Sequence, residues 1–376
     1  MDLFSTFMGL FSNLGNTTWQ MLVMWAVGGL LIYLGIVKKM EPTLLVPMGF
    51  GAILVNLPLS GAITQGSTEG PITALFHAGM SNELFPLLLF IGIGAMIDFG
   101  PLLQNPKLLI FGAAAQFGVF AVVVLATLLG FDLHDAASIG VIGAADGPTA
   151  IFVSQWFNSR YTGAIMVAAY SYMALVPIIQ PPVIKALTTK KERTIRMRYQ
   201  AANVSRLTRI LFPIVVTVVA GLIVPRSVAL VGFLMFGNLL RECGVLDSLS
   251  HVAQNVLANL ITIFLGITIA SQMQADQFLN KETLMILGLG LLAFVFDTAG
   301  GVICAKVVNI FMPEDKKLNP MIGACGISAF PMSSRVISKM ALAEDKQNFL
   351  LMQAAGVNVG GQVASVIAGG MLLNLI

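Results

Sequence analysis

Residues 143–149 read Gly-Ala-Ala-Asp-Gly-Pro-Thr and place one carboxylate inside an apolar stretch of the chain. A carboxylate at that depth in lipid is costly, so Asp146 needs a partner or a cation. Gly147 permits unusual backbone angles and Pro148 lacks an N–H, so we expect the helix to break here and to expose backbone carbonyls. Broken helices with polar groups near the middle of the bilayer form the cation sites of ion-coupled membrane proteins. The motif therefore predicts both a membrane location and an ion site.

The composition indicates an all-α polytopic membrane protein. Of the 376 residues, 57% are hydrophobic and 10% are charged, whereas soluble proteins carry about 25% charged residues. Apolar runs of bilayer-spanning length recur throughout the chain, so we expect membrane lipid around it. The basic residues are confined to loops and lack interleaved aromatic residues, which argues against nucleic acid as a partner.

Residues 185–207 are strongly basic and contain one acid, Glu192. The positive-inside rule predicts that this linker is cytoplasmic. It separates a first half, residues 19–184, from a second half, residues 208–376. Residues 1–18 are predicted to form a helix that lies on the membrane surface.

The charge rule also predicts a re-entrant hairpin in each half. If residues 136–157 crossed the bilayer completely, the basic linker would emerge on the outside, against the rule. The conflict disappears if this segment turns back at Asp146. In the second half, residues 318–340 are interrupted around residues 326–331 and are predicted to dip in from the cytoplasm.

Each half then has about five transmembrane helices and one broken-helix hairpin. Five is an odd number, so we predict two inverted repeats whose hairpin tips meet from opposite faces. Symmetric interruptions of this kind point to a transporter binding site. The alternative is that the halves resemble each other by chance, because apolar segments are easily alike.

Polar residues on the broken or flanking segments are the candidate ligands: Asp146, Tyr172, Asn319, Ser328 and Asn358. Hard alkali cations prefer the oxygen atoms that these side chains offer. All but Asp146 have a structural alternative. Tyr172 could be an interfacial aromatic residue, Asn319 a helix cap and Ser328 a hydroxyl bonded to its own helix, while the glycines beside Asn358 could form a packing seam.

Arg335 follows the second break and lies, on the predicted topology, towards the cytoplasm together with Lys339. An arginine fork suits a carboxylate or a carbamate. The alternative is that both residues only satisfy the positive-inside rule.

Three stretches carry a resemblance to a known family: residues 143–152, residues 319–336 and Asn-Val-Gly-Gly at 358–361. With these motifs the chain resembles the β subunits of sodium-pumping, biotin-dependent decarboxylases, which act on oxaloacetate, methylmalonyl-CoA, glutaconyl-CoA or malonate. The resemblance implies an enzyme subunit that decarboxylates carboxybiotin, consumes a proton and exports Na⁺. It also implies a multi-pass protein of a bacterial or archaeal plasma membrane.

The resemblance further implies a role for individual residues. Arg335 would handle carboxybiotin, and Asp146 and Tyr172 would join it in catalysis. The Na⁺ ligands would be Asp146, Tyr172, Asn319, Gly323, Ser328 and Asn358. Family members often have Gly-Pro-Asn-Val where this chain has Gly-Val-Asn-Val at 356–359, a departure that removes no oxygen ligand.

The partners implied by the resemblance are a carboxyltransferase α subunit, a biotin carrier subunit and a small membrane subunit. The biotin-attachment motif Ala-Met-Lys-Met does not occur in the chain, so biotin would be carried by a partner. We also expect a homo-oligomer within the complex. Two other functions stay open from the residues alone: a sodium/proton antiporter or sodium-coupled carboxylate transporter, and a membrane anchor that transports nothing.

Overall fold

The computed structural model describes residues 12–197 and 204–376, and the regular elements of those ranges are helices. The predicted surface helix at residues 1–18 lies mostly outside the described residues; its described end holds a 3-10 turn at Ser12–Asn16. Eleven α-helices precede residue 198: α1 Trp19–Ile36, α2 Pro42–Val55, α3 Pro71–Gly79, α4 Leu84–Met96, α5 Gly100–Gln104, α6 Leu109–Ala115, α7 Phe117–Leu128, α8 Leu133–Gly140, α9 Gly147–Trp156, α10 Thr162–Leu187 and α11 Lys190–Arg193.

Eight more α-helices follow residue 203: α12 Arg206–Ile223, α13 Val228–Glu242, α14 Asp247–Val252, α15 Ala258–Ile269, α16 Ala275–Phe278, α17 Lys281–Ile310, α18 Met332–Glu344 and α19 Leu351–Leu375. Short 3-10 helices supplement them at Pro106–Leu108, Val141–Ala144, Pro225–Ser227, Ala270–Gln272, Glu314–Lys316 and Pro320–Gly326, and a π-helical turn occupies Ala253–Leu257.

Seven helical segments of the described chain are long and apolar enough to cross a membrane: Trp19–Ile36, Pro106–Leu128, Thr162–Leu187, Arg206–Ile223, Asp247–Gln272, Lys281–Ile310 and Leu351–Leu375. The pair α3 and α4 is bent by 66° and adds an eighth if the two helices form one broken span. The prediction of an all-α protein with several membrane spans is confirmed.

The chain divides into two compact units, each of which takes residues from both sides of the basic linker. The first unit comprises Met1–Phe85 and Asn259–Met285. Within it, Asn56 joins the two pieces: its Nδ2 donates to the Met273 carbonyl at 2.7 Å, and its Oδ1 accepts from the Ala275 N–H at 2.8 Å. The second unit comprises Pro86–Ala258 and Ile286–Ile376 and contains all the candidate site residues.

In the second unit, the segment around Asp146 reverses direction. A 3-10 turn ends at Ala144, Ala145 is left-handed with φ 52°, and Asp146 is extended before α9 begins. The Ser159 hydroxyl, beyond α9, donates to Asp135 Oδ1 in α8 at 2.6 Å. Because these residues lie on opposite sides of the break, the two ends of the segment are in contact. We call residues 133–159 the first hairpin.

A second reversal occurs between Asn319 and the end of α18. The 3-10 helix Pro320–Gly326 gives way to an irregular segment, and α18 then runs to Glu344. Asn319 Nδ2 donates to the carbonyl of Arg193 at 2.8 Å, and the Arg193 guanidinium contacts Glu344 at 2.7 Å. Both ends of the segment therefore lie against the same linker residue. We call residues 319–344 the second hairpin.

Candidate ion-binding site

The two helix breaks meet in the second unit. The backbone N–H of Ser328, in the second break, donates to the carbonyl of Ala144, in the first, at 2.9 Å. The last helix, α19, contacts the second break through two side-chain amides. Asn358 donates to the Ile327 carbonyl at 2.8 Å, and Gln362 donates to the Ser328 carbonyl. Two interrupted backbones and one helix thus surround a common point.

Asp146 is the charged group at this point, and its side chain is buried. Its Oδ2 accepts from the Thr149 hydroxyl at 2.7 Å and from the Ser365 hydroxyl at 2.9 Å. Its Oδ1 accepts from the Thr149 N–H at 3.4 Å, so Asp146 caps the N-terminus of α9. A helix N-terminus favours a negative charge. Over the described residues no lysine or arginine pairs with this carboxylate, so dipoles alone balance it.

Ser365 connects Asp146 to the second hairpin. Its hydroxyl lies 2.9 Å from Asp146 Oδ2 and 3.0 Å from the Ser328 hydroxyl. The predicted residues Asp146 and Ser328 are therefore brought together through a residue that the sequence analysis missed. A signal for it existed, because residues 358, 362 and 365 are polar positions of α19 at a spacing that places them on one helix face.

Two amide oxygens beside the breaks accept no hydrogen bond from the part of the chain that the structure describes. Asn358 Oδ1 and Gln362 Oε1 are buried and accept no hydrogen bond from the described residues, although both amide nitrogens are used. Buried polar atoms without partners are uncommon and call for an explanation. Uncharged amide oxygens are suitable ligands for a hard cation. The donor set of carboxylate, hydroxyl and amide oxygens fits a small monovalent cation.

Tyr170, rather than Tyr172, lies beside the Asp146 segment. Its ring covers Gly147 so closely that a Cβ built there would lie 2.8 Å from Cε2, and its buried hydroxyl has no partner among the described residues. The Tyr172 hydroxyl donates instead to the carbonyl of Leu287 at 2.5 Å. In this conformation the structure does not bring the Tyr172 hydroxyl to Asp146.

Asn319 and Gly323 shape the second hairpin through contacts with the linker and with α17. Asn319 is buried, and its amide donates to the carbonyls of Arg193 and Ile195 while its Oδ1 accepts from the Met321 N–H. Gly323 faces the backbone of α17, where a Cβ would lie 3.0 Å from the Val302 nitrogen and nearer still to the Gly301 carbonyl. These two residues set the path of the chain towards Ser328.

Arg335 lies on α18, seven positions after Ser328, and its side chain is exposed. It makes no ion pair within residues 12–197 and 204–376, and Lys339, one turn further along the helix, is exposed as well. An unpaired guanidinium is free to bind an anion in a bidentate manner.

A second buried carboxylate, Asp297, was also missed by the sequence analysis. It lies in α17, and its Oδ1 accepts from the N–H groups of Gly118 and Val119, the latter at 3.1 Å, so it caps the N-terminus of α7. Its Oδ2 has no partner in the described chain and lies against Gly143, three residues before Asp146. The signal for Asp297 was a lone acid in an apolar, membrane-spanning segment, without the helix break that marks Asp146.

A buried carboxylate where two interrupted helices meet, with oxygen ligands around it, is typical of ion-coupled helical membrane proteins. The family described as Na⁺-transporting oxaloacetate decarboxylase beta subunit matches residues 20–376, and the chain belongs to this family. It is therefore a multi-pass plasma-membrane protein and the membrane subunit of a decarboxylase.

Relatives with three different substrates in their names resemble the chain over almost its full length. It is 43% identical to the oxaloacetate decarboxylase beta chain of Klebsiella pneumoniae and 47% identical to the methylmalonyl-CoA decarboxylase subunit beta of Propionigenium modestum, each over 94% of both chains. It is 46% identical to the glutaconyl-CoA decarboxylase subunit beta of Acidaminococcus fermentans, over 96% of this chain and 94% of the relative. These relatives are named as beta chains or beta subunits, which indicates that they belong to complexes of several subunits.

Proposed function

We propose that this chain binds Na⁺ at Asp146 and exports it, driven by the decarboxylation of carboxybiotin that a partner subunit presents. The observation that carries the proposal is the buried Asp146 carboxylate, placed where the two hairpins meet and linked to Ser328 through Ser365. Membership in the family of Na⁺-transporting decarboxylase β subunits supports both the ion and the reaction.

Asp146 and Ser328 are the central Na⁺ ligands in this proposal. Thr149 and Ser365 join them because their hydroxyls already contact the carboxylate, and Asn358 contributes its unpartnered amide oxygen. Asn319 and Gly323 support the site by fixing the second hairpin. Tyr172 takes part in a second conformation, in which its hydroxyl leaves the Leu287 carbonyl for the ion or for a proton.

Arg335 is the residue that we propose for binding carboxybiotin. Carboxybiotin supplies a carboxyl group whose release as carbon dioxide consumes one proton. The guanidinium of Arg335 fits that carboxylate, because it is exposed and is not engaged in an ion pair of the described chain. The charge rule places it on the cytoplasmic side, where a biotin carrier can reach it.

We also propose that the two hairpins are re-entrant and belong to inverted repeats, residues 19–184 and 208–376, joined by the cytoplasmic linker 185–207. The contact between their ends supports this topology: Asp135 with Ser159 in the first hairpin, and Arg193 with both ends of the second. The hairpins would then move together relative to the surrounding helices and expose Na⁺ to either side in turn.

The partners in this proposal are a carboxyltransferase α subunit, a biotin carrier subunit and a small membrane subunit, with further copies of this chain. The same breaks could serve a sodium/proton antiporter or a sodium-coupled carboxylate transporter. No observation favours these alternatives over the decarboxylase, and the family of the chain supports the decarboxylase.

The test is Asp146→Asn in the whole complex, assayed for decarboxylation and for radioactive sodium uptake into proteoliposomes. We expect both activities to fall by about a hundredfold or more, because the amide removes the only charge among the proposed ligands. Asp247→Asn, at an exposed acid of α14, is the matched control and should leave both activities unchanged. Full sodium-dependent activity in Asp146→Asn would refute the proposed function. Sodium uptake without any decarboxylation would favour the transporter alternatives.

A further inference from the structure

The linker contacts the second hairpin mainly through Arg193. Its Nε donates to Glu344 Oε1 at 2.7 Å, and its Nη1 donates to the Thr188 carbonyl at 2.6 Å. Its own carbonyl accepts from Asn319 Nδ2 at 2.8 Å and from Asn348 Nδ2 at 3.1 Å. One residue therefore connects the C-terminal end of α10, the start of the second hairpin, the end of that hairpin and the approach to α19.

The ion pair within this set is shielded from water. The side chains of Arg193 and Glu344 are only 13% and 18% exposed, so either one alone would leave a poorly compensated charge. The guanidinium also donates in two directions, towards Glu344 and Thr188. A lysine keeps the charge but lacks the planar fork that makes both bonds.

We propose that Arg193 is a positioning residue for Arg335. Glu344 and Arg335 lie on the same helix, α18, nine residues and about 14 Å apart. The pair with Arg193 fixes the cytoplasmic end of α18, and with it the direction and rotation of the helix that presents Arg335. This inference rests on the proposed function, because it assigns to Arg335 the binding of carboxybiotin.

The tip of the second hairpin depends less on Arg193. Ser328 is held by its own bonds: its N–H donates to the Ala144 carbonyl, its carbonyl accepts from Gln362, and its hydroxyl contacts Ser365. Loss of the Arg193 contacts should therefore displace α18 at its cytoplasmic end and leave the Asp146 site largely formed. This predicts a decrease in turnover without a matching loss of sodium affinity.

Arg196 provides a matched control on the same linker. Its Nε donates to Asp345 Oδ2 at 2.6 Å, and this hydrogen bond holds the pKa of the Asp345 carboxyl below its usual value. The Arg196 side chain is 56% exposed, however, and its hydrogen bonds to the described residues go to Asp345 and Gln347, after the end of α18. An exposed pair of this kind contributes little.

The experiment compares Arg193→Gln, Arg193→Lys and Arg196→Gln in the whole complex, with turnover measured per folded complex over a sodium titration. For Arg193→Gln we expect turnover to fall about tenfold, with half-saturation by sodium within about twofold of the native value. Arg193→Lys should be intermediate, and Arg196→Gln should match the native enzyme. Arg335→Gln is the reference and should show the same separation of turnover from sodium affinity.

Equal turnover in Arg193→Gln and Arg196→Gln would overturn the inference, even if the former has a lower melting temperature, because the pair would then be only structural. A rise in the sodium half-saturation of Arg193→Gln parallel to its loss of turnover would overturn it too. Glu344→Gln removes the same pair from the other side, and it should reproduce the separation if Arg193→Gln fails to assemble. Asp146→Asn in the same preparations keeps the two proposals distinct. If Asp146→Asn is inactive and Arg193→Gln turns over at the native rate, only the positioning role of Arg193 is rejected, and the proposed function stands.

Discussion

The two hairpins differ in the contacts that join their ends and in the charge that they bring to the candidate ion site. The first carries the charge: Asp146 ends its break, and its two ends contact each other directly through Asp135 and Ser159. The second carries no charge in its break, and its ends are joined through Arg193, which lies outside it. The first hairpin is thus closed by its own residues, whereas the ends of the second are held together by the linker. A change in the linker should therefore reach the second hairpin and spare the first.

Among the variants that test this difference between the hairpins, Gly323→Ala is expected to have the largest effect on decarboxylation. The added Cβ would lie 3.0 Å from the Val302 nitrogen and closer to the Gly301 carbonyl, and neither backbone atom can move aside alone. We expect decarboxylation to fall about a hundredfold, because the chain that leads to Ser328 shifts. Gly288→Ala is the control, since a Cβ on Gly288 meets nothing within 4 Å. Equal activities of the two variants would show that the second hairpin tolerates displacement.

A smaller effect is expected where the hairpins share a ligand. Ser365→Ala removes the hydroxyl between Asp146 and Ser328 and should raise the sodium concentration for half-maximal activity about tenfold. Ser154→Ala is the matched control, because this buried hydroxyl of the first hairpin donates to the Ile151 carbonyl of its own helix and has no bond to the Asp146 carboxylate among the described residues. Sodium titration of decarboxylation measures both. An unchanged half-saturation in Ser365→Ala would remove this residue from the ion site.

The smallest effects on decarboxylation are expected where the first hairpin closes, because these contacts stabilise the fold and do not involve the proposed Na⁺ ligands. Ser159→Ala removes a 2.6 Å hydrogen bond to the buried carboxylate of Asp135 and should lower the free energy of unfolding by about 1.5–3 kcal/mol. Arg160→Gln removes a 3.3 Å contact with the same carboxylate, but its side chain is 71% exposed, so the loss should stay below about 1 kcal/mol. Melting of the detergent-solubilised protein ranks the two variants. A larger loss in Arg160→Gln would show that the first hairpin, too, depends on an arginine.

The sequence predicted the parts of this site that depend on local chemistry. Gly147 and Pro148 after an isolated acid predicted the break at Asp146, while the re-entrant course of the two segments, argued from the charges of the linker, stays a prediction. The sequence did not predict which residues that lie far apart in the chain are in contact. The polar face of α19 marked Ser365, but not its hydrogen bond to Asp146 across 219 residues. Whether Tyr170 or Tyr172 faces the Asp146 segment depends on the rotation of α10, which the sequence does not specify. Asp297 was missed because α17 gives no sign of a break around it.

The Ser365 hydroxyl lies among more hydrogen-bond acceptors than it can donate to at one time. Three oxygen atoms lie within 3.0 Å of its Oγ: Asp146 Oδ2, the Ser328 hydroxyl and the Gln362 carbonyl. A hydroxyl has a single hydrogen to donate and two lone pairs with which to accept. When that hydrogen points at the carboxylate, the lone pairs are turned away from it. A cation at Asp146 would repel the hydrogen towards the Gln362 carbonyl, so the orientation of one O–H group would differ between the loaded and the empty protein.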